Sequence, residues 1–256
     1  MTQMKVNRGF TLIELMIAMV LGLLIVGVTL TVYLSTVRGS SETLKSARLN
    51  HDLESAMSLM VNDIRRAGYW GGAVPEADIF ENPFTNQDVA GSAPIGNPSV
   101  SCFLYSYDFD ADENVDTDEY YGFKLDGTTI RMRLTGTAGN GNTDCNDGNW
   151  AGELIDSDIV SINSLQFLPT STCLNADITD DEIAAAGAGV SPVNQSNTVS
   201  CEVAAAGNAL ANSNDRIIER REVNIVLTGS LVDDANVTKT VNSTVIIRND
   251  NLYRLP

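Results

Sequence analysis

The sequence predicts an α+β protein in which one long amino-terminal helix packs on an antiparallel β-sheet that carries loop insertions. Three observations lead to this fold class: an uncharged apolar stretch near the amino terminus, a stripe of apolar residues at helical spacing directly after it, and alternating apolar and polar residues in the second half. With 256 residues, of which 43% are hydrophobic, the chain is large enough to bury one sizeable core.

The uncharged apolar stretch covers residues 15–37 and is predicted to span a membrane. A helix over 15–34 would extend about 30 Å, which matches the hydrocarbon thickness of a bilayer. Lys5 and Arg8 precede it, and basic residues beside a membrane span favour the cytoplasmic side. We therefore expect the amino terminus in the cytoplasm and the bulk of the chain across the membrane.

The helix is expected to continue beyond the membrane as an amphipathic segment. Charged residues such as Asp63 fall between its apolar positions, and Gly68 is a natural stop. The predicted domains are therefore a leader at 1–9, a helix at 10–66 and a β-rich domain at 67–256. The apolar residues recur at three- and four-residue steps, as on one face of a helix: Leu44, Leu49, Leu53, Met57, Met60, Val61 and Ile64.

Alternating residues predict the strands of the sheet. Residues 120–134 read as a hairpin, because two alternating runs flank Asp126-Gly127, a dipeptide typical of tight hairpin turns. Three further strands are predicted, near 158–168, at 221–231 and at 239–248.

Two segments are predicted to be loops. Residues 73–119 contain several prolines and few periodic runs, which is typical of a long connection. Residues 172–215 are rich in Ala, Asn, Gly and Ser and read as a loop insertion bounded by cysteines.

The predicted β-rich domain carries a formal charge of −19, against −17 for the whole chain, since the first 66 residues have seven basic and five acidic side chains. A strongly negative field repels phosphate backbones, so we expect no nucleic-acid partner. The same field suits cations or basic surfaces.

The four cysteines are Cys102, Cys145, Cys173 and Cys201, and none belongs to a C-x-x-C pair. The single histidine, His51, is remote from them in sequence, so a zinc site is not predicted. An even count in an exported chain predicts two disulfides, for which three connectivities are possible. Short loop closure favours Cys102–Cys145 with Cys173–Cys201.

An acidic run at 108–119, DFDADENVDTDE, holds seven carboxylates and no basic residue. Alternating oxygen ligands are what Ca²⁺ requires, and the spacing follows an EF-hand loop, although Glu113 takes the position of its glycine. A calcium site is therefore predicted, and a solvated acidic loop is the alternative. The candidate ligands are Asp108, Asp110, Asp112, Asn114, Asp116 and Glu119.

The residues Arg8-Gly9-Phe10-Thr11-Leu12-Ile13-Glu14-Leu15 closely resemble the class III signal of type IV pilins and type II secretion pseudopilins. This resemblance implies cleavage by a prepilin peptidase between Gly9 and Phe10, followed by N-methylation of Phe10. A carboxylate near a membrane is costly unless it is paired. The resemblance supplies a partner for Glu14, the amino group of Phe10 on a neighbouring subunit; the alternative is that Glu14 reaches the membrane interface of a plain anchor helix.

Two further segments, 65–72 and 244–249, resemble PilW-type minor pilins of the type IV pilus. The resemblance implies a subunit with a periplasmic domain that is first held in the inner membrane and then joins a surface pilus. It further implies a role in priming assembly near the tip, in support of twitching motility and adhesion. The implied partners are other minor pilins, the major pilin, the prepilin peptidase and the pilus assembly platform.

Three alternatives to a minor pilin are open at this point. A J-type pseudopilin of type II secretion shares the same amino terminus, and a membrane-anchored module that binds calcium or another ligand would explain the acidic loops. An enzyme is the weakest alternative, since the sequence has no phosphate-binding P-loop, no G-x-S-x-G and no histidine cluster. No catalytic residue and no organic cofactor are predicted.

Overall fold

The computed structural model describes residues 10–71, 82–85, 96–136, 144–177, 193–196 and 215–254. Within these ranges the chain forms one α-helix and ten β-strands, which confirms the predicted α+β class. The chain divides after Arg48 into two compact units.

Helix α1 runs from Leu12 to Ile64, slightly inside the predicted bounds of 10–66. In the first unit its apolar side chains are exposed, Leu23 for example by 73%. By length and composition this helix contains a segment that could cross a membrane. The buried face begins at Leu49 rather than at the predicted Leu44, which is 70% exposed.

The first sheet is antiparallel and has the strand order β1-β2-β3-β4-β5. The predicted hairpin at 120–134 is confirmed, because β3 and β4 pair up to a turn closed by Asp126 and Thr129. The strands are β1 Gly96–Ser99, β2 Cys102–Ser106, β3 Tyr120–Asp126, β4 Thr129–Thr135 and β5 Asn149–Glu153.

Strands β1 and β2 correct the prediction that 73–119 is a connection throughout. All five residues of β2, CFLYS, are buried, so the strand reads as a short apolar run without alternation. Strand β5, NWAGE, was also not predicted, because its side chains are only partly buried or exposed and carry no periodic signal.

The second sheet is also antiparallel, and it corrects the prediction of a single sheet. Its order is β10-β8-β6-β7, and β9 pairs with β8 as well. The two long strands β6 and β8 pair from Val160–Leu231 to Asn175–Ile217. The strands are β6 Val160–Asn175, β7 Val193–Ser196, β8 Arg216–Leu231, β9 Thr238–Ile246 and β10 Asn251–Arg254.

The three carboxyl-terminal strand predictions correspond to β6, β8 and β9, which confirms them. Strand β6 continues to Asn175, and β7 lies at 193–196, so the predicted loop insertion at 172–215 contains strand as well. Much of the remaining insertion lies outside the described residues.

One buried cluster joins the last four turns of α1 to both sheets. Leu53 is fully buried, and a Cβ on Gly229 of β8 would lie 3.0 Å from its Cδ2 atom, so a larger residue there would require the leucine side chain to shift. The rings of Phe103 in β2 and Phe167 in β6 lie 5.7 Å apart and connect the sheets. Burial of these apolar surfaces is the main stabilising contribution.

A disulfide joins Cys102, at the start of β2, to Cys145, before β5. This is the pairing that short loop closure favoured. Cys173 is also disulfide-bonded, whereas Cys201, its predicted partner, lies outside the described residues.

Candidate functional site: the helix start and the acidic loop

The start of α1 is closed by a reciprocal capping pair, Thr11 and Glu14. The Glu14 backbone N–H donates to Thr11 Oγ1 at 3.3 Å, and the Thr11 N–H donates to Glu14 Oε2 at 3.2 Å. The Thr11 hydroxyl donates to the same carboxylate oxygen at 3.1 Å. This is the capping box pattern, in which the backbone N–H of each of two residues donates to the side chain of the other.

Glu14 therefore has a role within its own chain that the sequence analysis did not identify. Its negative charge lies in the first helical turn, where the helix dipole favours it. Phe10, the residue predicted to become the mature amino terminus, is 87% exposed and lies directly before the cap. Gly9 lies outside the described residues.

At its other end α1 carries a buried carboxylate, Asp63, only 8% exposed. The hydroxyl of Tyr105 donates to Asp63 Oδ2, that of Tyr107 donates to Oδ1 at 3.3 Å, and Arg66 forms an ion pair with it. The helix dipole disfavours an acid in a last turn, so these partners are what makes its burial possible. The sequence placed Asp63 off the apolar face and gave no sign of this cluster.

Burial and the charge of Asp63 also shift the pKa values of the two tyrosines in this cluster. Burial, and next the charge of Asp63, raise the pKa of Tyr105 well above its ordinary value. Burial likewise raises the pKa of Tyr107, whose ring lies under the Arg66 guanidinium at 4.4 Å. Both hydroxyls are therefore neutral donors under ordinary conditions.

The segment after α1 runs along the loop that follows β2. The Gly68 N–H donates to Ser106 O at 2.8 Å, and Tyr69 O accepts from Asp108 N at 2.9 Å. The carboxyl-terminal segment meets it from another side, since Arg248 N donates to Arg65 O at 3.2 Å. The two segments that resemble PilW-type proteins are thus in direct contact.

Gly71 and Trp70 hold the acidic loop itself. Gly71 N donates to Asp108 Oδ2 at 2.9 Å, and Trp70 Nε1 donates to Glu113 O at 3.3 Å. A Cβ on Gly71 would lie 3.0 Å from Ala111 Cα, Ala111 Cβ and Asp108 Oδ2. This close approach explains why the segment has glycine at position 71.

The acidic loop brings together three of the six predicted calcium ligands. The carboxylates of Asp108, Asp110 and Asp112 each offer one oxygen, and these oxygens lie within 4.8 Å of one another. Asp108 is only 1% exposed, whereas Asp110 and Asp112 are exposed. Asp108 Oδ2 accepts two backbone N–H groups, from Gly71 and from Glu113 at 3.2 Å.

The other predicted ligands lie outside this carboxylate cluster. Glu119 Oε1 accepts from Phe109 N at 2.7 Å, and its Oε2 accepts from Asp116 N at 2.9 Å, so the carboxylate closes the loop from within. Burial raises the pKa of Glu119, while these two hydrogen bonds act in the opposite direction. The Asn114 amide donates to Asp112 O at 3.0 Å.

The full EF-hand spacing over 108–119 is therefore a poor description of the loop, because both carboxylate oxygens of Glu119 accept backbone N–H groups. The first half of that spacing describes the loop better. Ala111 and Glu113 have φ of 61° and 74°, and Glu113 is the position at which that spacing has glycine.

Comparison with known families matches two parts of the chain. Residues 4–30 match the prokaryotic N-terminal methylation motif, and residues 42–247 match "Prepilin peptidase-dependent protein B". No curated protein and no solved structure matches the chain.

Both matching families describe pilin-type structural proteins, and the methylation motif lies over the exposed apolar start of α1. The protein is pilin-like, and the exposed amino-terminal segment of α1 is suited by length and composition to anchor it in a membrane. The second match extends over more than half of the chain and includes the first sheet and every strand of the second sheet except β10. The chain therefore belongs to the family of prepilin peptidase-dependent protein B.

Proposed function

We propose that this protein is a minor pilin of the type IV pilus that primes pilus assembly near the tip and so supports twitching motility and adhesion. The observation that carries the proposal is the start of α1, where the methylation motif covers a capped apolar segment whose side chains are exposed. Such a surface requires lipid or the apolar helices of other subunits around it.

Processing is the first step of the proposed mechanism. A prepilin peptidase cleaves between Gly9 and Phe10, removes the leader at 1–9, and N-methylates Phe10. Before assembly the subunit spans the inner membrane through 15–37, with its amino terminus in the cytoplasm and its β-rich domain, from residue 67, in the periplasm. In the assembled pilus that domain lies on the cell surface.

Assembly is the second step, and Glu14 has two tasks in it. Its Oε2 atom closes the capping box with Thr11, which fixes the side chain at the helix start. Its charge then pairs with the positive amino group of Phe10 on a neighbouring subunit. The partners are other minor pilins, the major pilin and the assembly platform, and the role is structural rather than enzymatic.

Glutamine and alanine at position 14 separate these two tasks. A capping box accepts Gln in place of Glu, so Glu14→Gln keeps the cap and loses the charge, whereas Glu14→Ala loses both. Thr11→Ala weakens the cap and keeps the charge, and Thr11→Ser is its matched control because serine also caps.

The test is to express these variants in a strain that lacks the protein and to count surface pili. Wild type and Thr11→Ser should restore pili, and Glu14→Gln should be cleaved and inserted but restore few. Mass spectrometry should show methylated Phe10 at the mature terminus. Full restoration by Glu14→Gln would refute charge pairing, and an intact leader would refute the pilin mechanism. A deletion strain with normal pili but blocked protein export would instead indicate a J-type pseudopilin.

A further inference from the structure

The acidic loop contains a buried carboxylate oxygen without a hydrogen bond. Asp108 Oδ1 is inaccessible to solvent and has no hydrogen-bond partner among the described residues, while Oδ2 of the same carboxylate accepts two backbone N–H groups. No ion pair involves Asp108 in the part of the chain that the structure describes. A buried charge in this condition is costly, and native proteins rarely leave one uncompensated.

The surroundings of Asp108 add negative charge instead of removing it. Asp110 and Asp112 bring their carboxylates within 4.8 Å of the Asp108 carboxylate, and no basic residue occurs between 108 and 119. Three carboxylates so close repel one another unless a cation lies between them. The buried oxygen and the convergence of the carboxylates are two separate observations, and a bound cation accounts for both.

We propose that the carboxylates of Asp108, Asp110 and Asp112 bind a calcium ion. The ligand atoms are hard oxygens, and no histidine or cysteine belongs to the cluster, which argues against zinc. Calcium accepts more ligands at longer and more variable distances than magnesium, and the two exposed aspartates leave room for water to complete its shell.

This site differs from the one that the full EF-hand spacing predicts. Glu119 is the bidentate ligand in that spacing, but its two oxygens accept backbone N–H groups from Phe109 and Asp116 here. The ion would lie against the segment that closes α1, since Asp108 is held by Gly71. Calcium would thus fix the acidic loop to the end of the helix, a property independent of the proposed role in pilus assembly.

The test uses the full chain in detergent and Ca²⁺ alone as the probe. Isothermal titration should show one site, and the melting temperature should be higher in millimolar calcium than with chelator, since binding to the folded state alone raises stability. Magnesium should raise it less. The double variant Asp110→Asn and Asp112→Asn should lower calcium affinity by at least about tenfold, because two charged ligands become neutral.

The matched control is the double variant Asp116→Asn and Asp118→Asn. It removes two charges from the same acidic run but leaves the cluster of Asp108 intact, so calcium affinity should stay within about twofold of wild type. Equal melting in calcium and chelator, without a titration signal, would overturn the proposal. So would an equal loss of affinity in the control, which would indicate diffuse attraction to an acidic surface.

Discussion

Replacement of Asp63 by alanine should be among the most destabilising single changes in the second compact unit, Leu49–Pro256. The variant leaves the buried hydroxyl of Tyr105 without its acceptor and removes one of the hydrogen bonds of the Tyr107 hydroxyl. Loss of a hydrogen bond to a charged group costs about 1.5–3 kcal/mol. Arg66 is half exposed, so its ion pair adds about 1 kcal/mol at most. Together, the lost hydrogen bonds and the weak ion pair give an expected loss in free energy of unfolding of about 3–5 kcal/mol.

Urea unfolding of the full chain in detergent, followed by tryptophan fluorescence, would measure this loss. Glu54→Ala is the matched control, because Glu54 lies on the same helix and is exposed; it should change the free energy by less than about 0.5 kcal/mol. A double-mutant cycle with Tyr105→Phe should give a coupling of at least about 0.5 kcal/mol. If Asp63→Ala costs no more than Glu54→Ala, the buried cluster does not stabilise the domain.

Three further changes test other contacts. Gly71→Ala should lower the free energy of unfolding by about 1–3 kcal/mol through overlap with Ala111, whereas Gly152→Ala, with nothing within 4 Å of its Cβ, should not. The raised pKa of Tyr105 means that the unfolded chain ionises first, so stability is retained below about pH 10 and lost above it; alkaline titration should show a smaller loss in Tyr105→Phe. Cys102→Ser should lower stability by about 2–4 kcal/mol in urea titrations, and equal stability with and without reductant would contradict this.

The elements predicted best from the sequence are those with a long run of periodically spaced apolar residues. Helix α1 and the strands β6, β8 and β9 each carry enough repeats to identify the element, although the buried face of α1 begins at Leu49 and not at the predicted Leu44. Strand β2 has only five residues, all buried, and β5 has only two apolar residues, Trp150 and Ala151, which are adjacent and do not alternate. Tertiary pairing forms those two strands, and no local signal distinguishes them from loops.

The sequence indicated which residue types form the candidate sites, but it did not indicate which of them come into contact. The run of aspartates indicated oxygen ligands, yet the burial of Glu119 and its use as a backbone acceptor depend on contacts ten residues away. Asp63 lies one position from the apolar face of α1, and it is buried because two tyrosines of the first sheet reach it. A contact between residues about forty positions apart in the chain cannot be predicted from the local pattern of apolar and polar residues.

The disulfide between Cys102 and Cys145 has a consequence for the order of events in the cell. It ties β2, an interior strand of the first sheet, to the chain that leads into β5 at the sheet's edge. Stable disulfides form mainly outside the cytoplasm, so on the proposed topology the domain matures after translocation while α1 is still in the membrane. The supply of assembly-competent subunits then depends on the periplasmic thiol oxidase as well as on the peptidase, and a shortage of oxidant would reduce piliation without any change in the amount of protein made.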